Sequence, residues 1–195
     1  MNLTLAQKET VTRLLEAGVV RSTQLLAKMS HTQWGIAASS INEIPVVRLL
    51  SWFQREQGHC IGARFRARAD VPLEFLVLFT DTSSKSVAAA VTRPFAEKMA
   101  RLKNLVKLTI GEVSNILAQG VVGSLADEFD TTIILSVPEI HEGTKTEILG
   151  KVLEDYDGRQ DLLMMSHVDM YSQDLSAECC MIVIVNAESL RRLLT

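Results

Sequence analysis

Glu112 and Asn115 combine residue types and a spacing that allow them to act together on another molecule. They lie in the stretch from Leu108 to Pro138, which begins with the apolar periodicity of a helix and ends in an apolar strand. The apolar stripe of this helix consists of Ile110, Val113, Leu117, Val121 and Leu125. At about 100° per residue, Glu112 and Asn115 project to the side opposite that stripe. Their neighbours on that side are Val122, Gly123 and Ala126. We therefore expect a carboxylate and a carboxamide on a bare surface that can enter a cleft on another protein.

Two spacings in this stretch match a known motif. Two residues separate Glu112 from Asn115, and twenty-two separate Asn115 from Pro138. Together with the flanking strings GEVSNILAQGVVGSLADEF and IILSVPEI and the closing segment MIVIVNAESLRRLL, they make the sequence resemble the CheC/CheX/FliY family of chemotaxis phosphatases, most closely a CheC-type protein. The family motif is Asp/Ser-x3-Glu-x2-Asn-x22-Pro. Leu108 stands in the place of the Asp or Ser and departs from the motif.

The resemblance implies hydrolysis of the aspartyl phosphate on a CheY-like response regulator. Glu112 would form an ion pair with a lysine of the partner, and the Asn115 amide would enter the partner's active site and orient a water for in-line attack. Phosphoryl transfer depends mainly on positioning and charge neutralisation. A carboxamide suits this task because it both donates and accepts, so it can hold a water without deprotonating it. The partner would supply the Mg²⁺, so the resemblance implies no cofactor and no metal held by this chain.

Two functions of other classes remain open on the sequence. The chain can be a non-catalytic module that binds a phosphorylated receiver or acts as a scaffold in a chemosensory or flagellar switch complex, since Leu108 departs from the motif. It can also pair with a second copy through an exposed strand or helix, as CheX-type relatives do. A CheD-like deamidase is a further partner that the resemblance suggests.

Composition limits these interpretations. A chain of 195 residues with 47% hydrophobic and 22% charged residues is typical of one soluble domain with a well-buried core. A net charge of −3 gives no attraction to nucleic acid or to an anionic membrane, and the sequence shows neither a run of bilayer length nor a signal peptide. Three cysteines favour a reducing cytosol, and Cys179 and Cys180 should point to opposite faces of a strand. We expect a cytoplasmic protein that binds neither nucleic acid nor membrane.

The other polar clusters are interpreted as structural. Arg64, Arg66 and Arg68 alternate along a predicted strand and should form its solvated face. The histidines and Cys60 lack zinc-ligand spacing, so we predict scattered structural roles for them and no metal site. The histidines are His31, His59, His141 and His167. The acidic run 154–158 is interpreted as a hairpin turn rather than a calcium loop.

The elements that position these residues alternate between helices and strands. Helices are predicted over 3–15, from Ser22 or Thr23 through Ile41, from Asp81 or Thr82 to a point before Pro94, and over 95–106, 108–127 and 187–194. Strands are predicted over 61–69, 73–80, 131–137, 145–153, 162–170 and 179–185, and the run 46–53 can be either. The fold class is therefore α/β (α+β), with a mixed or antiparallel sheet packed by long helices.

A weak internal repeat runs through this order. FLVLFTDTSSKSVAAAV in the first half resembles CCMIVIVNAESLRRLL in the second. We predict one domain over 1–195, built of two repeats over about 20–93 and 95–195 and related by a pseudo-twofold axis. Aligning WGIAASSI with the second small-residue segment places Lys28 and His31 where the second half has Glu112 and Asn115. Because Lys28 reverses the charge and His31 lacks a carboxamide, we predict that the first site is lost.

Overall fold

An antiparallel sheet is the frame of the protein. The structure, a computed structural model, describes residues 4–54, 58–68, 73–99, 101–156, 162–188 and 190. Its helices are α1 (Leu5–Ser30), α2 (Val46–Phe53), α3 (Asp81–Thr92), α4 (Ala96–Met99), α5 (Leu105–Phe129) and α6 (Lys145–Leu153), and a 3-10 turn at Arg93–Phe95 joins α3 to α4. Its strands are β1 (Gly35–Pro45), β2 (His59–Arg68), β3 (Leu73–Thr80), β4 (Ile134–Leu135), β5 (Glu139–Thr144), β6 (Leu162–Ser172) and β7 (Ala177–Asn186). The strand order is β1-β6-β7-β3-β2, and both β4 and β5 pair with β2.

Helices cover both faces of the sheet. α1, α3 and α5 pack on one face, over a core that includes Leu26, Phe65 and Leu117. α2 and α6 pack on the opposite face, over a second core that includes Leu49 and Ile148. Because successive side chains of a strand point to opposite faces, each central strand contributes to both cores. We call the two sides of the sheet the α5 face and the α6 face.

The chain follows the same order of elements twice. α1, β1, α2, β2, β3 and α3 form the first half, and α5, β5, α6, β6 and β7 form the second. The halves meet where β3 pairs with β7, and each contributes a strand to the other, since β1 pairs with β6 and β5 with β2. This pseudo-twofold arrangement confirms the predicted fold class. Of the predicted final helix, Ala187, Glu188 and Leu190 are helical, and the rest lies outside the described residues.

The long helices α1 and α5 cross at small residues. A Cβ atom added to Gly18 would lie 2.7 Å from the Cα atom of Val121, so the two backbones can approach this closely only at a glycine. The Ser22 hydroxyl fills the same crossing and is 2.6 Å from the Leu117 carbonyl oxygen. This contact orients α5 and so decides which of its sides is left exposed.

α1 is a single helix where the sequence predicted two. The predicted stop at Gly18 is wrong, because this glycine serves the contact with α5 instead of a helix end. α1 ends at His31, whose φ of 53° is left-handed. The second predicted helix is wrong beyond this point, since Ile36 and Ile41 belong to β1, which pairs with β6 along most of its length.

The segment 145–153 is the helix α6, and the strand predicted there is wrong. The Thr144 hydroxyl accepts a hydrogen bond from the Glu147 N–H, and the Glu147 carboxylate accepts one from the Thr144 N–H. This reciprocal pair is a capping box, which starts a helix. The apolar residues that follow are buried at helical spacing in the second core, and they are Ile148, Leu149, Val152 and Leu153.

The strands that follow α5 also differ from the prediction. Of the predicted strand over 131–137, only Ile134–Leu135 pairs with β2. The polar strand β5, Glu139–Thr144, begins directly after Pro138 and was not predicted, because its sequence EIHEGT lacks an apolar alternation. Its pairing with β2 gives it a strand conformation that its own sequence does not favour.

The predictions for the four central strands are confirmed, with ends that differ by a few residues; these strands are β2, β3, β6 and β7. The ambiguous run 46–53 is the helix α2. The predicted turn at 70–72 lies outside the described residues, as do Asp157 and Gly158 of the predicted acidic turn.

The helices on either side of residue 100 start and stop at unpredicted residues. α3 is capped by Thr80, whose hydroxyl accepts a hydrogen bond from the Ser83 N–H, instead of by Asp81 or Thr82. The predicted helix over 95–106 is interrupted, because Asn104 adopts a left-handed φ of 63° directly before α5 begins.

Candidate functional site

The exposed ridge of α5 carries the predicted pair. Leu108, Glu112, Asn115 and Gln119 lie one above the other along the helix, at helical spacing. Leu108, Glu112 and Gln119 are exposed and Asn115 is half-buried, whereas the predicted apolar stripe on the other side is buried throughout. We call these four residues the α5 ridge. The prediction that Val122 lies on the bare side beside Glu112 and Asn115 is wrong, because Val122 is buried in the core formed with α1.

Pro138 lies beside the beginning of this ridge. A Cβ atom added to Gly111 would be 3.8 Å from the Cγ atom of Pro138. Because Glu112 follows Gly111, the segment after α5 returns to the level of the predicted pair. Val137 is 83% exposed and Leu108, the first residue of the ridge, is 56% exposed, so this end of the ridge has exposed apolar surface.

Glu112 and Asn115 have no hydrogen-bond or ion-pair partner among the residues that the structure describes. The neighbouring cation Lys107 is already paired, with its Nζ 2.7 Å from a carboxylate oxygen of Glu142 on β5. A carboxylate and a carboxamide that are not used internally, on a helix held by the core, are available to bind groups of another molecule.

α5 alone among the described helices is long and apolar enough to cross a membrane by length and composition. Eleven of its residues are buried inside the protein, mostly in the core that it forms with α1 and the sheet. A buried core helix meets the same criteria, so its apolar character has an explanation in the fold.

The predicted counterparts of the pair in the first half are wrong. They came from aligning WGIAASSI with a helix, and most of that segment is the strand β1. Lys28 lies in the last turn of α1 and His31 is its exposed C-cap, so neither occupies a position equivalent to Glu112 or Asn115.

The ends of the two long helices give the correct alignment. His31 directly follows α1 and Asp130 directly follows α5, and both are C-cap residues with a left-handed φ. Superposing these ends places Arg13 opposite Glu112 and Glu16 opposite Asn115. Both are exposed, and Arg13 is paired with Glu128 at 2.9 Å. The first half therefore carries neither residue of the motif.

Arg64 is a buried ion-pair residue, and the predicted solvated stripe is wrong at this position. It lies on the α6 face, 4% exposed, and its guanidinium donates hydrogen bonds to Glu74 at 2.7 Å and to Asp155 at 2.6 Å. Burial raises the pKa of Glu74 against the effect of Arg64, whereas the hydrogen bond from Arg64 lowers the pKa of Asp155. Arg66 and Arg68 are exposed, as predicted.

His167 lies next to Asp169 and Cys180, which sequence reasoning did not connect. His167 and Asp169 are two apart on β6, and Asp169 is opposite Cys180 on β7. The i, i+2 spacing on a predicted strand was a readable signal, but the register between the two strands was not. His31 and His59 are exposed.

One curated protein matches the sequence over most of its length. The chain is 22% identical over 176 residues to a protein of Halobacterium salinarum named "Putative CheY-P phosphatase CheC1", and the match covers 87% of this chain and 85% of the relative. No model of a known protein family matches the sequence.

Solved structures share the architecture. FliY of Thermotoga maritima superposes with a TM-score of 0.74 at 12% identity, over 100% of this chain and 96% of FliY. The chain has the CheC/CheX/FliY fold. A chain of the CheX–CheY–BeF3–Mg²⁺ complex of Borrelia burgdorferi also matches this CheC/CheX/FliY-like protein, with a TM-score of 0.56 at 12% identity, over 89% of this chain and 97% of that one. The resemblance found in the sequence is thereby confirmed at the level of the fold.

Proposed function

We propose that this protein is a phosphatase that hydrolyses the aspartyl phosphate of a CheY-like receiver domain. The observation that carries the proposal is the α5 ridge, on which Glu112 and Asn115 project from a core-anchored helix beside Pro138, without internal partners among the described residues. The fold shared with the chain from a CheX–CheY complex supports a receiver domain as the partner.

Asn115 is the residue that we propose to act on the phosphoryl group. Its carboxamide can accept a hydrogen bond from a water and donate one at the same time, so it can hold that water in line with the phosphorus atom. α5 is fixed by its buried stripe, so the amide position is set before the partner arrives, and pre-positioning of this kind lowers the entropic part of the barrier. The proposed partner brings its own Mg²⁺ and the phosphoryl group.

Glu112 is the residue that we propose to align the two proteins. It lies one turn before Asn115 on the same exposed line, so a lysine of the receiver bound to its carboxylate would bring the amide next to the phosphoryl site. Leu108, at the beginning of the ridge, and Val137 provide exposed apolar surface that a partner can cover.

A scaffold function is the second candidate, and a specific observation favours it. Leu108 replaces the Asp or Ser of the family motif, and FliY, whose name states no activity, has the same architecture over the whole chain. In this alternative the ridge would hold a phosphorylated receiver without turning it over. A cytoplasmic location, a CheD-like partner and pairing with a second copy remain predictions.

The proposal is tested by the lifetime of a phosphorylated receiver domain. Receivers from the same cell are phosphorylated with a small-molecule phosphodonor, and the loss of phosphate is followed with the full chain at a tenth of the receiver concentration. We expect the wild-type protein to accelerate loss of phosphate from at least one receiver, and Asn115→Ala to reduce this acceleration by about 100-fold, the scale of a misplaced reacting group.

Gln119→Ala is the matched control, because Gln119 is a carboxamide on the same ridge one turn further along. It should retain the wild-type rate, and circular dichroism should show both variants folded. A receiver whose phosphate is lost more slowly in the presence of the protein would favour the scaffold, and loss of activity in Gln119→Ala but not in Asn115→Ala would contradict the assigned role of Asn115.

A further inference from the structure

A second cluster of reactive side chains lies on the α6 face, the side of the sheet opposite α5. His167 and Asp169 point to this face from β6, and Cys180 joins them from β7, where it pairs with Asp169. One nitrogen, one oxygen and one sulfur atom of these residues all lie within 4.8 Å of one another. His167 Nε2 is 3.3 Å from Asp169 Oδ1.

Burial and ring packing hold Cys180 and His167 in place at this cluster. Cys180 is 3% exposed, and the Nε2 atom of His167 is buried and has no aligned hydrogen bond within the described residues. The ring of Phe53 packs edge-on against the His167 ring, with centroids 5.4 Å apart and an angle of 84° between the planes. This contact restricts the rotation of the imidazole, so Nε2 is held towards Asp169.

The equivalent positions of the first half hold a different set of side chains. Arg66 of β2 lies opposite Glu74 of β3, just as Asp169 of β6 lies opposite Cys180 of β7. Arg64 precedes Arg66 by two residues, as His167 precedes Asp169. Arg64 forms ion pairs with Glu74 and Asp155, so this cluster is closed by its own opposite charges.

The second half has ligand atoms at the same three positions and no arginine among them. Asp169 and Cys180 also border a cavity of about 300 Å³, which Lys145, Tyr171 and Glu178 help to line. A small ion can therefore reach the cluster, and a water in the cavity can approach it from the open side. The Lys145 ammonium opposes a cation, but the charges of a carboxylate and a thiolate together exceed it.

We propose that His167, Asp169 and Cys180 bind one divalent transition-metal ion, with zinc as the ion that best fits the donors. Imidazole nitrogen, carboxylate oxygen and thiolate sulfur are the three ligand types of protein zinc sites. Three protein ligands plus a water complete a tetrahedral set, and the separation of His167 Nε2 from Asp169 Oδ1 suits two ligands on one small ion. The metal would tie β6 to β7 as Arg64 ties β2 to α6.

The test uses the full chain, freed of metal with a chelator and kept reduced, and titrated with Zn²⁺ or Co²⁺ alone. We expect one Zn²⁺ per chain, a higher melting temperature in Zn²⁺, and a near-ultraviolet thiolate-to-cobalt band with the visible bands of tetrahedral Co²⁺. Cys180→Ala should abolish the thiolate band and weaken zinc binding by more than the roughly 100-fold that loss of an outer partner costs. His167→Asn should weaken zinc binding but keep the thiolate band. This variant replaces Cys180→Ala as the test of the site if Cys180→Ala does not fold.

Cys179→Ala and Cys60→Ala are the matched controls. Cys179 is the chain neighbour of Cys180 but points to the α5 face, where burial raises the pKa of its thiol, and Cys60 is buried elsewhere. Both variants should bind Zn²⁺ and Co²⁺ as the wild type does. A thiolate band that survives in Cys180→Ala, or that disappears in Cys60→Ala, would overturn the proposal. So would a wild-type chain that shows no stoichiometric binding, because the cluster would then be an ordinary His–Asp ion pair. Phosphatase activity is not a readout of this test.

Discussion

The two halves of this protein share a backbone plan and differ in what they place on it. On the long helices, the second half presents Glu112 and Asn115 where the first half presents Arg13 and Glu16. On the α6 face, the first half closes its polar cluster with Arg64, whereas the second half has His167 at the same position. The second half therefore carries the candidate site on its long helix and has no arginine in its cluster on the α6 face.

This comparison shows that the two halves share a backbone arrangement without placing the same residue types at equivalent positions. The crossing of α1 and α5 uses small residues from both helices, including Gly18 and Ser22 of the first half and Gly120 of the second. Exposed positions are free to diverge, because a surface substitution away from special contacts changes stability little. Each half can therefore lose or gain a site while the sheet and its cores stay intact.

The largest expected effect comes from substitutions in the two polar clusters on the α6 face, at Arg64 in the first half and at His167 in the second. Arg64→Leu should lower the free energy of unfolding by about 3 kcal/mol, because it leaves the buried Glu74 carboxylate without its cation. His167→Leu, measured in the presence of a chelator, should cost about 1 kcal/mol or less, because Asp169 remains 38% exposed. Urea unfolding of both variants gives the two values. Equal losses would show that the clusters do not differ in the way their burial indicates.

A second test of the comparison is to rebuild the motif on the first half. Arg13→Glu and Glu16→Asn, introduced together into the Asn115→Ala variant, should not recover the loss of about 100-fold expected for that variant. The reason is that the family motif includes a proline that the first half lacks, since superposing the two halves places Ser39 at the position of Pro138.

The rate of receiver dephosphorylation checks this prediction, and the same two substitutions in the wild-type background should leave the rate unchanged. Recovery of activity in the rebuilt protein would mean that the two side chains suffice and that Pro138 is dispensable.

A third test concerns the pH dependence of stability, at a position where only one of the two halves has a titratable side chain. Burial lowers the pKa of His141 on β5, and the corresponding residue of β1 is Asn42. Because the folded state favours neutral His141, the unfolded state binds the proton more readily, and stability should decline as pH falls below the ordinary histidine value of about 6.5.

His141→Asn should therefore lose less stability than the wild type between pH 7 and pH 5, and the same amount above pH 7. Urea midpoints across this range measure the difference. A steeper decline in the variant would mean that His141 is stabilised in its charged form.

Local sequence determined much of the fold because several elements carry their own signal. The α5 stripe, the alternation in β2 and the apolar strands β3 and β7 were readable from residue spacing alone, since each buries one face or both. α6 was misread because its apolar run is short, although the capping box of Thr144 and Glu147 and the spacing of its apolar residues both indicate a helix. β5 could not be predicted, since pairing with β2 rather than its own composition makes it a strand.

The sequence by itself determined the types and spacing of Glu112, Asn115 and Pro138 and the family resemblance that they support. Only the tertiary structure decided that Pro138 returns beside α5, that Arg13 and Glu16 are the true counterparts, and that Arg64 is buried in an ion pair. It also decided that His167, Asp169 and Cys180 meet on one face. The physical reason is that helical spacing is a local property of the chain, whereas strand register and helix crossings depend on contacts between segments that are distant in sequence.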